Sequence, residues 1–200
     1  MSDILGTAVS VAVFSFVTSV TPGPNNTYLL TSGINFGAKK SLTYVNGIIA
    51  GLIMMFAAMY FGVGALFRAY PAIQEVMKYV GFAYIVYMAY SIIQSSFTHK
   101  HEKVERIGFV KATFFQLLNP KAWIVIMSVV AAYIPASSNP FQVSLLLAVF
   151  LIATYPGAVI WAIFGELMAG LLSKPVPRRI FNVSAAVLLV VSMIPVVFFD

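Results

Sequence analysis

The sequence predicts an all-α integral membrane protein: six transmembrane helices as two inverted three-helix repeats, with helices 1 and 4 broken. Three observations carry this. Of 200 residues, 60% are hydrophobic and only 9% are charged, whereas soluble domains carry about 25% charged residues. Charged loops and one proline-rich turn separate six long apolar runs, and proline motifs at Pro22 and Pro120 interrupt two of those runs at related places. The runs lack the roughly 10-residue alternating segments of an outer-membrane barrel, so helices are the spanning elements.

The first run, residues 4–38, contains no charge. As one straight helix it would far exceed a bilayer core, which about 20 residues cross. Thr21-Pro22-Gly23-Pro24-Asn25-Asn26 is where it should break. Each proline removes a backbone donor, and glycine relaxes the steric limits. Backbone groups freed at lipid depth must face protein or a polar cavity. That makes this stretch a candidate site.

The second span covers roughly residues 42–67 and the third roughly 79–97. A charged loop, 99–106, follows. The fourth span, about 112–134, contains Asn119-Pro120-Lys121. Residues 135–140 form a turn by composition. The fifth span, about 141–165, carries Pro156, with Tyr155-Pro156-Gly157 as a second flexible point. A basic loop, 174–179, leads to the sixth, about 180–199. The chain, 1–200, reads as a single transmembrane domain, with repeat one about 1–98 and repeat two about 106–200.

Basic residues set the orientation. Loops 1–2, 3–4 and 5–6 hold nine: Lys39, Lys40, Lys100, Lys103, Arg106, Lys111, Lys174, Arg178 and Arg179. The other side holds two, Arg68 and Lys78. By the positive-inside rule both termini lie outside the cytoplasm, on the periplasmic side. The net charge of +6 therefore orients the chain and does not imply nucleic acid. There is no cysteine, which excludes disulfides. Asp3 is the only charge before the first apolar run, where a secretory signal would carry Lys or Arg.

Three spans per half is an odd number, so the halves are expected to have opposite topology. Inverted repeats with paired helix breaks place transporter sites near the midplane. Asn119 suits a helix cap and Pro120 a first turn. Gly23 and Pro24 can do the same in the first half. Each restart leaves a helix end with free N–H groups and partial positive charge, suited to a carboxylate. The candidate substrate-binding residues are thus Pro22, Gly23, Pro24, Asn25, Asn26, Gln116, Asn119, Pro120 and Lys121. The same features also fit ordinary proline kinks with satisfied amides.

Lys121 is the sharpest of these. A lysine at helix-centre depth costs about 2.5–3.5 kcal/mol on insertion scales, so it should face protein or water. Binding a carboxylate, carrying a proton and snorkelling to the cytoplasmic face all remain open for it. No Asp or Glu lies deep within a span, and Glu166 falls at the cytoplasmic end of the fifth. Such a site disfavours strongly cationic substrates. Gly47 and Gly51, with Gly62 and Gly64, permit close helix packing. Tyr84, Tyr87 and Tyr90 read as interface anchors, and His99 and His101 as solvated loop residues. No metal site, cofactor motif or nucleophile elbow is apparent. That leaves a transporter ahead of a membrane-embedded enzyme or a structural subunit.

Thr21-Pro22-Gly23-Pro24-Asn25, followed by Gly37 and Lys39-Lys40, resembles the first motif of the lysine exporter (LysE/RhtB) family of bacterial amino-acid exporters. Phe115-Gln116-Leu117-Leu118-Asn119-Pro120-Lys121-Ala122-Trp123 resembles its second motif, and Gly81-Phe82-Ala83-Tyr84 its third-span pattern. Pro22–Asn26 with Ser32-Gly33-Ile34-Asn35-Phe36-Gly37 is most similar to the branch containing the cysteine and O-acetylserine exporter. The resemblance implies proton-driven efflux of an amino acid across the inner membrane. Its partners are then the amino acid, protons and the lipid bilayer, with a homo-oligomer left open. Family members export threonine, homoserine, leucine, cysteine or basic amino acids, so the resemblance does not fix the substrate. A channel or an importer of similar solutes is the alternative.

Overall fold

The computed structural model describes residues 2–63, 106–134, 138–172 and 174–198, with isolated positions between 69 and 93. The third span, Tyr84, Gly64 and the histidine loop fall largely or wholly outside the described residues. All secondary structure within them is helical. The elements are α1 (Ser2–Val20), α2 (Pro24–Phe36), α3 (Ala38–Ala58), α4 (Phe109–Leu117), α5 (Pro120–Tyr133), α6 (Pro140–Leu172) and α7 (Pro175–Phe198).

The two proline motifs interrupt helices as expected. α1 and α2 bend by 59° across Thr21–Gly23, and α4 and α5 by 68° across Leu118–Asn119. Pro24, rather than Pro22, holds the position in α2 that Pro120 holds in α5: each directly follows the helix cap. There the missing N–H costs nothing, because a first-turn donor has no intrahelical partner anyway. α3, continued by a π-helical turn Met59–Val63, and α6 are each long and apolar enough to cross a bilayer alone. The two bent pairs qualify when each pair counts as one span.

Pro156 behaves differently from the expected flexible point. α6 runs continuously through it and ends at Leu172, beyond the expected 165. A transmembrane helix tolerates proline where neighbours satisfy the freed groups. Here α1 closes on the same turn: a Cβ at Gly157 would overlap Ser19 Oγ.

The described residues put apolar side chains on the outside and bury several polar ones within an apolar core. Leu5, Val9 and Val13 on one face of α1, and Ile152 and Leu167 on α6, are each more than half exposed. Ser15, Asn26, Thr27, Gln116 and Asn119 are buried. This pattern is stable only when lipid contacts the outer face, and it identifies a membrane protein. Tyr44, Met55, Ile126 and Phe150 fill the centre.

Small residues bring the helices together. α6 packs against α1, α2 and α3, and α4 packs against α3. A Cβ at Gly33 would overlap the Ala162 carbonyl oxygen, and one at Gly165 the Leu30 carbonyl oxygen. Gly47 and Gly51 do the expected packing, against Ala112 and Gln116 respectively. Gly37, with φ +84°, ends α2 and starts α3 with no intervening loop. Only a residue without a Cβ adopts that backbone easily. Ser32 and Ser41 then hydrogen-bond across the corner at 2.7 Å.

Candidate functional site

The first break leaves the last carbonyls of α1 without helical partners. Asn26, one turn into α2, turns back to meet them: Nδ2 donates to the Ser19 and Thr21 carbonyl oxygens, each at 2.7 Å. At the other end of the gap, Gly23 is the helix cap and offers no side chain. The first amide of α2 to bond within the helix is that of Thr27, to Gly23 O.

The second break closes itself more fully. Asn119 Oδ1 accepts the amide of Lys121 at 3.1 Å, capping α5. Trp123 Nε1 donates to the Leu117 carbonyl oxygen at 2.8 Å. The two helix starts therefore differ: α5 carries its own side-chain cap, and α2 does not.

Lys121 ties the breaks together. Its Nζ donates to the Thr21 carbonyl oxygen at 2.7 Å and to that of Pro22 at 3.0 Å. Thr21 O thus receives both an amide and an ammonium, using both lone pairs. The lysine stem lies along Gly23, where a Cβ would come within 3.1 Å of Lys121 Cδ. Glycine makes room for the lysine.

A second link joins the halves. Asn25 Nδ2 donates to Gln116 Oε1, and the Tyr44 hydroxyl donates to Asn25 Oδ1 at 3.1 Å. Tyr44 is held by ring contacts to Tyr28 and Phe115, with centroids 4.1 Å and 6.3 Å away. The Tyr28 hydroxyl in turn accepts the Ile107 amide at 2.7 Å.

These groups surround a cavity of about 530 Å3, counted to its open mouth. Gly23, Pro24, Asn25, Asn26, Gln116, Asn119 and Lys121 line it. Pro22 and Pro120, the other two sequence candidates, do not. Pro120 is buried in the first turn of α5, and Pro22 contributes its carbonyl to Lys121. Ile48, Leu52, Val125 and Phe150 form an apolar wall, and Thr18, Ser19 and Thr154 add hydroxyls. Among the described residues, Lys121 is the only charged one in the lining, and no carboxylate faces the cavity. The sequence reading missed Tyr44, Thr154 and the apolar wall. Tyr44 sits in an unremarkable apolar run, so no motif could single it out. Its role depends on the α3–α4 contact.

The chain is similar to known efflux proteins. Cysteine/O-acetylserine efflux proteins are similar along most of their length. That of Salmonella typhimurium is 27% identical over 161 residues, covering 77% of this chain and 80% of the relative. That of Klebsiella pneumoniae is 29% identical over 161 residues, covering 77% and 79%. A leucine efflux protein of Salmonella choleraesuis is 30% identical over 140 residues, covering 66% and 64%. No solved structure matches the chain. The family profile described as LysE type translocator matches residues 16–195, and the chain accordingly belongs to the LysE family of amino-acid exporters.

Proposed function

We propose that the protein is a secondary active exporter of small neutral amino acids or their derivatives, of the cysteine/O-acetylserine or threonine/homoserine type. It works as a proton antiporter in the bacterial inner membrane. One observation carries this reading: both helix breaks converge on one cavity, joined there by Lys121. Two of the three ammonium protons are held by backbone carbonyls. The third, with the uncapped start of α2, offers a place for a substrate carboxylate. Among the described residues the lining has no acidic partner for a cationic side chain, which favours neutral substrates over lysine and arginine. In this reading the chain comprises six spans in two inverted halves, with both termini periplasmic. Alternating access rocks the halves about the two breaks.

The test is uptake into everted membrane vesicles against a panel of amino acids, with and without an imposed proton gradient. Gradient-dependent uptake of cysteine, O-acetylserine, threonine, homoserine or leucine is expected. Equal uptake after the gradient is collapsed would make the protein a channel, and preference for lysine or arginine would overturn the substrate class.

A further inference from the structure

Among the described residues, three side-chain hydroxyls line the cavity, those of Thr18, Ser19 and Thr154. Two of them have given their protons away. Thr18 Oγ1 donates to the Phe14 carbonyl oxygen at 2.9 Å, and Ser19 Oγ to that of Phe16 at 2.7 Å. Such back-bonds are the ordinary arrangement for a hydroxyl on an apolar helix, and they leave only lone pairs for the cavity. Thr154 differs. Its hydroxyl makes no hydrogen bond among the described residues, and no fully enclosed side-chain oxygen among them lacks a partner. The hydroxyl therefore meets open space. Thr154 stands on the inner face of α6: Phe150 and Ala158, one turn to either side, line the cavity with it. The exposed Ile152, Ile163 and Leu167 lie on the far side of the helix. The open space is the cavity.

The packing fixes its depth. Along α6, Gly157 meets Ser19 at the end of α1, whereas Ala162 and Gly165 meet Gly33 and Leu30 of α2. α6 thus runs beside α1 and then α2, and Thr154 and Phe150 lie on the α1 side of the first break. α5 runs back along α1: Lys121 reaches Thr21 at one end, and the Tyr133 ring meets Phe14 at the other. Val125, one turn beyond Lys121, is therefore on the α1 side too. Leading away from the breaks, the lining passes from the Lys121 ammonium to Thr154 and Val125, and then to Phe150.

We propose that Thr154 is a specificity-determining residue: its hydroxyl hydrogen-bonds an oxygen on the substrate side chain, so that the cavity selects amino acids carrying a hydroxyl or ester there over aliphatic ones. The proposal deepens the exporter reading and rests on it. A carboxylate held at the breaks directs the side chain towards the α1 side, where Thr154 is the first uncommitted polar group. A hydroxyl both donates and accepts, so it serves an alcohol or the carbonyl of an ester. An aliphatic side chain displaces water from Thr154 and returns no hydrogen bond.

The test is binding of L-homoserine and L-norvaline, which differ by a hydroxyl in place of a methyl group, to the purified protein in lipid nanodiscs. L-cysteine and L-leucine are measured beside them. Wild type should bind homoserine more tightly than norvaline. Thr154→Val keeps the shape and removes the hydroxyl, and should reduce that preference about fivefold, the scale of one neutral hydrogen bond. Thr154→Ser keeps the hydroxyl and should keep the preference. A structural role for Thr154 would weaken both ligands equally. An unchanged ratio in Thr154→Val, or a wild type that does not favour homoserine, overturns the proposal and leaves the exporter reading standing. A preference lost in Thr154→Ser as fully as in Thr154→Val also overturns it. Should Thr154→Val fail to fold, Thr154→Ala takes its place with the same two outcomes. If wild type binds cysteine or leucine but neither member of the pair, the proposal falls alone. If it binds none of the four, the amino-acid reading fails and takes this proposal with it.

Discussion

Lys121 Nζ lies 2.7 Å from the carbonyl oxygen of Thr21, 100 residues earlier in the chain. The bond joins the start of α5 to the end of α1. A lysine at this depth is costly unless its protons are used, and backbone carbonyls freed by a helix break need donors. Each feature satisfies the other. Lys121 is thus both a structural tie and, among the described residues, the one positive charge in the cavity lining, and substitutions can separate the two roles.

Lys121→Met keeps much of the volume and removes every donor. It strands the Pro22 carbonyl and should cost about 1–3 kcal/mol of stability, while gradient-driven efflux falls to background in everted vesicles. Lys121→Arg keeps the charge but resists deprotonation. If the arginine variant transports with an unchanged pH profile, Lys121 is not the proton carrier. Normal transport by the methionine variant would remove both the carboxylate and the proton role.

Asn119→Ala removes the side-chain cap of α5 and should cost about 1 kcal/mol. Asn119→Asp keeps an accepting oxygen at the same place and should retain most of the stability. Thermal unfolding in detergent distinguishes the two. Equal melting temperatures for alanine and aspartate would mean that the cap bond contributes nothing.

How much of this could be read from the sequence follows from the range of each signal. Both breaks were legible because proline and glycine act locally, whatever surrounds them. Lys121 was legible because a charge in an apolar run has a cost that needs an explanation. The helix starts were legible as well: Gly23 with Pro24 begins α2 as Asn119 with Pro120 begins α5, because a cap followed by proline is a local signal. Pro156 misled because its donor loss is local, whereas its toleration depends on α1 packing at Gly157. Tyr44 and the distal acceptor role of Glu166 were invisible, since both act across long sequence separations.

Glycine packing predicts a graded response. A Cβ at Gly51 would sit 2.6 Å from Gln116 Cβ and 2.7 Å from Cγ. Gly51→Ala should therefore cost about 1–3 kcal/mol, the range for overpacking, and weaken transport by displacing Gln116. At Gly170 a Cβ would meet nothing within 4 Å, and Gly170→Ala should stay within about 0.5 kcal/mol of wild type. Unfolding in a fixed detergent, with transport measured in parallel, compares them. Equal stability would deny the close α3–α4 contact its importance.

Topology is open to a direct measurement. Nine basic residues on one side against two on the other predict periplasmic termini. A phosphatase active only in the periplasm should be active when fused after Asp200. Activity instead of a cytoplasm-only reporter fused at the same point would reject the six-span, termini-out arrangement.

Glu166 gives the last prediction. Its Oε2 accepts the Ala38 amide at 3.0 Å, and its carboxylate lies against Gly37. Gly37 is the helix cap of α3 and has no side chain to perform this task. α6 thus supplies from a distance the acceptor that a local Ser or Asp would ordinarily provide. A negative charge at a helix start also interacts favourably with the helix dipole. The side chain is exposed, so the charge contribution should weaken with salt. Glu166→Gln keeps an accepting oxygen and loses the charge. Glu166→Ala loses both. At low salt alanine should cost about 1 kcal/mol and glutamine about half of that. At high salt the gap between wild type and glutamine should close, while alanine stays lower. Melting curves at the two salt concentrations separate the contributions. If alanine melts with wild type in both, the bond to Ala38 does not hold the α2–α3 corner against α6.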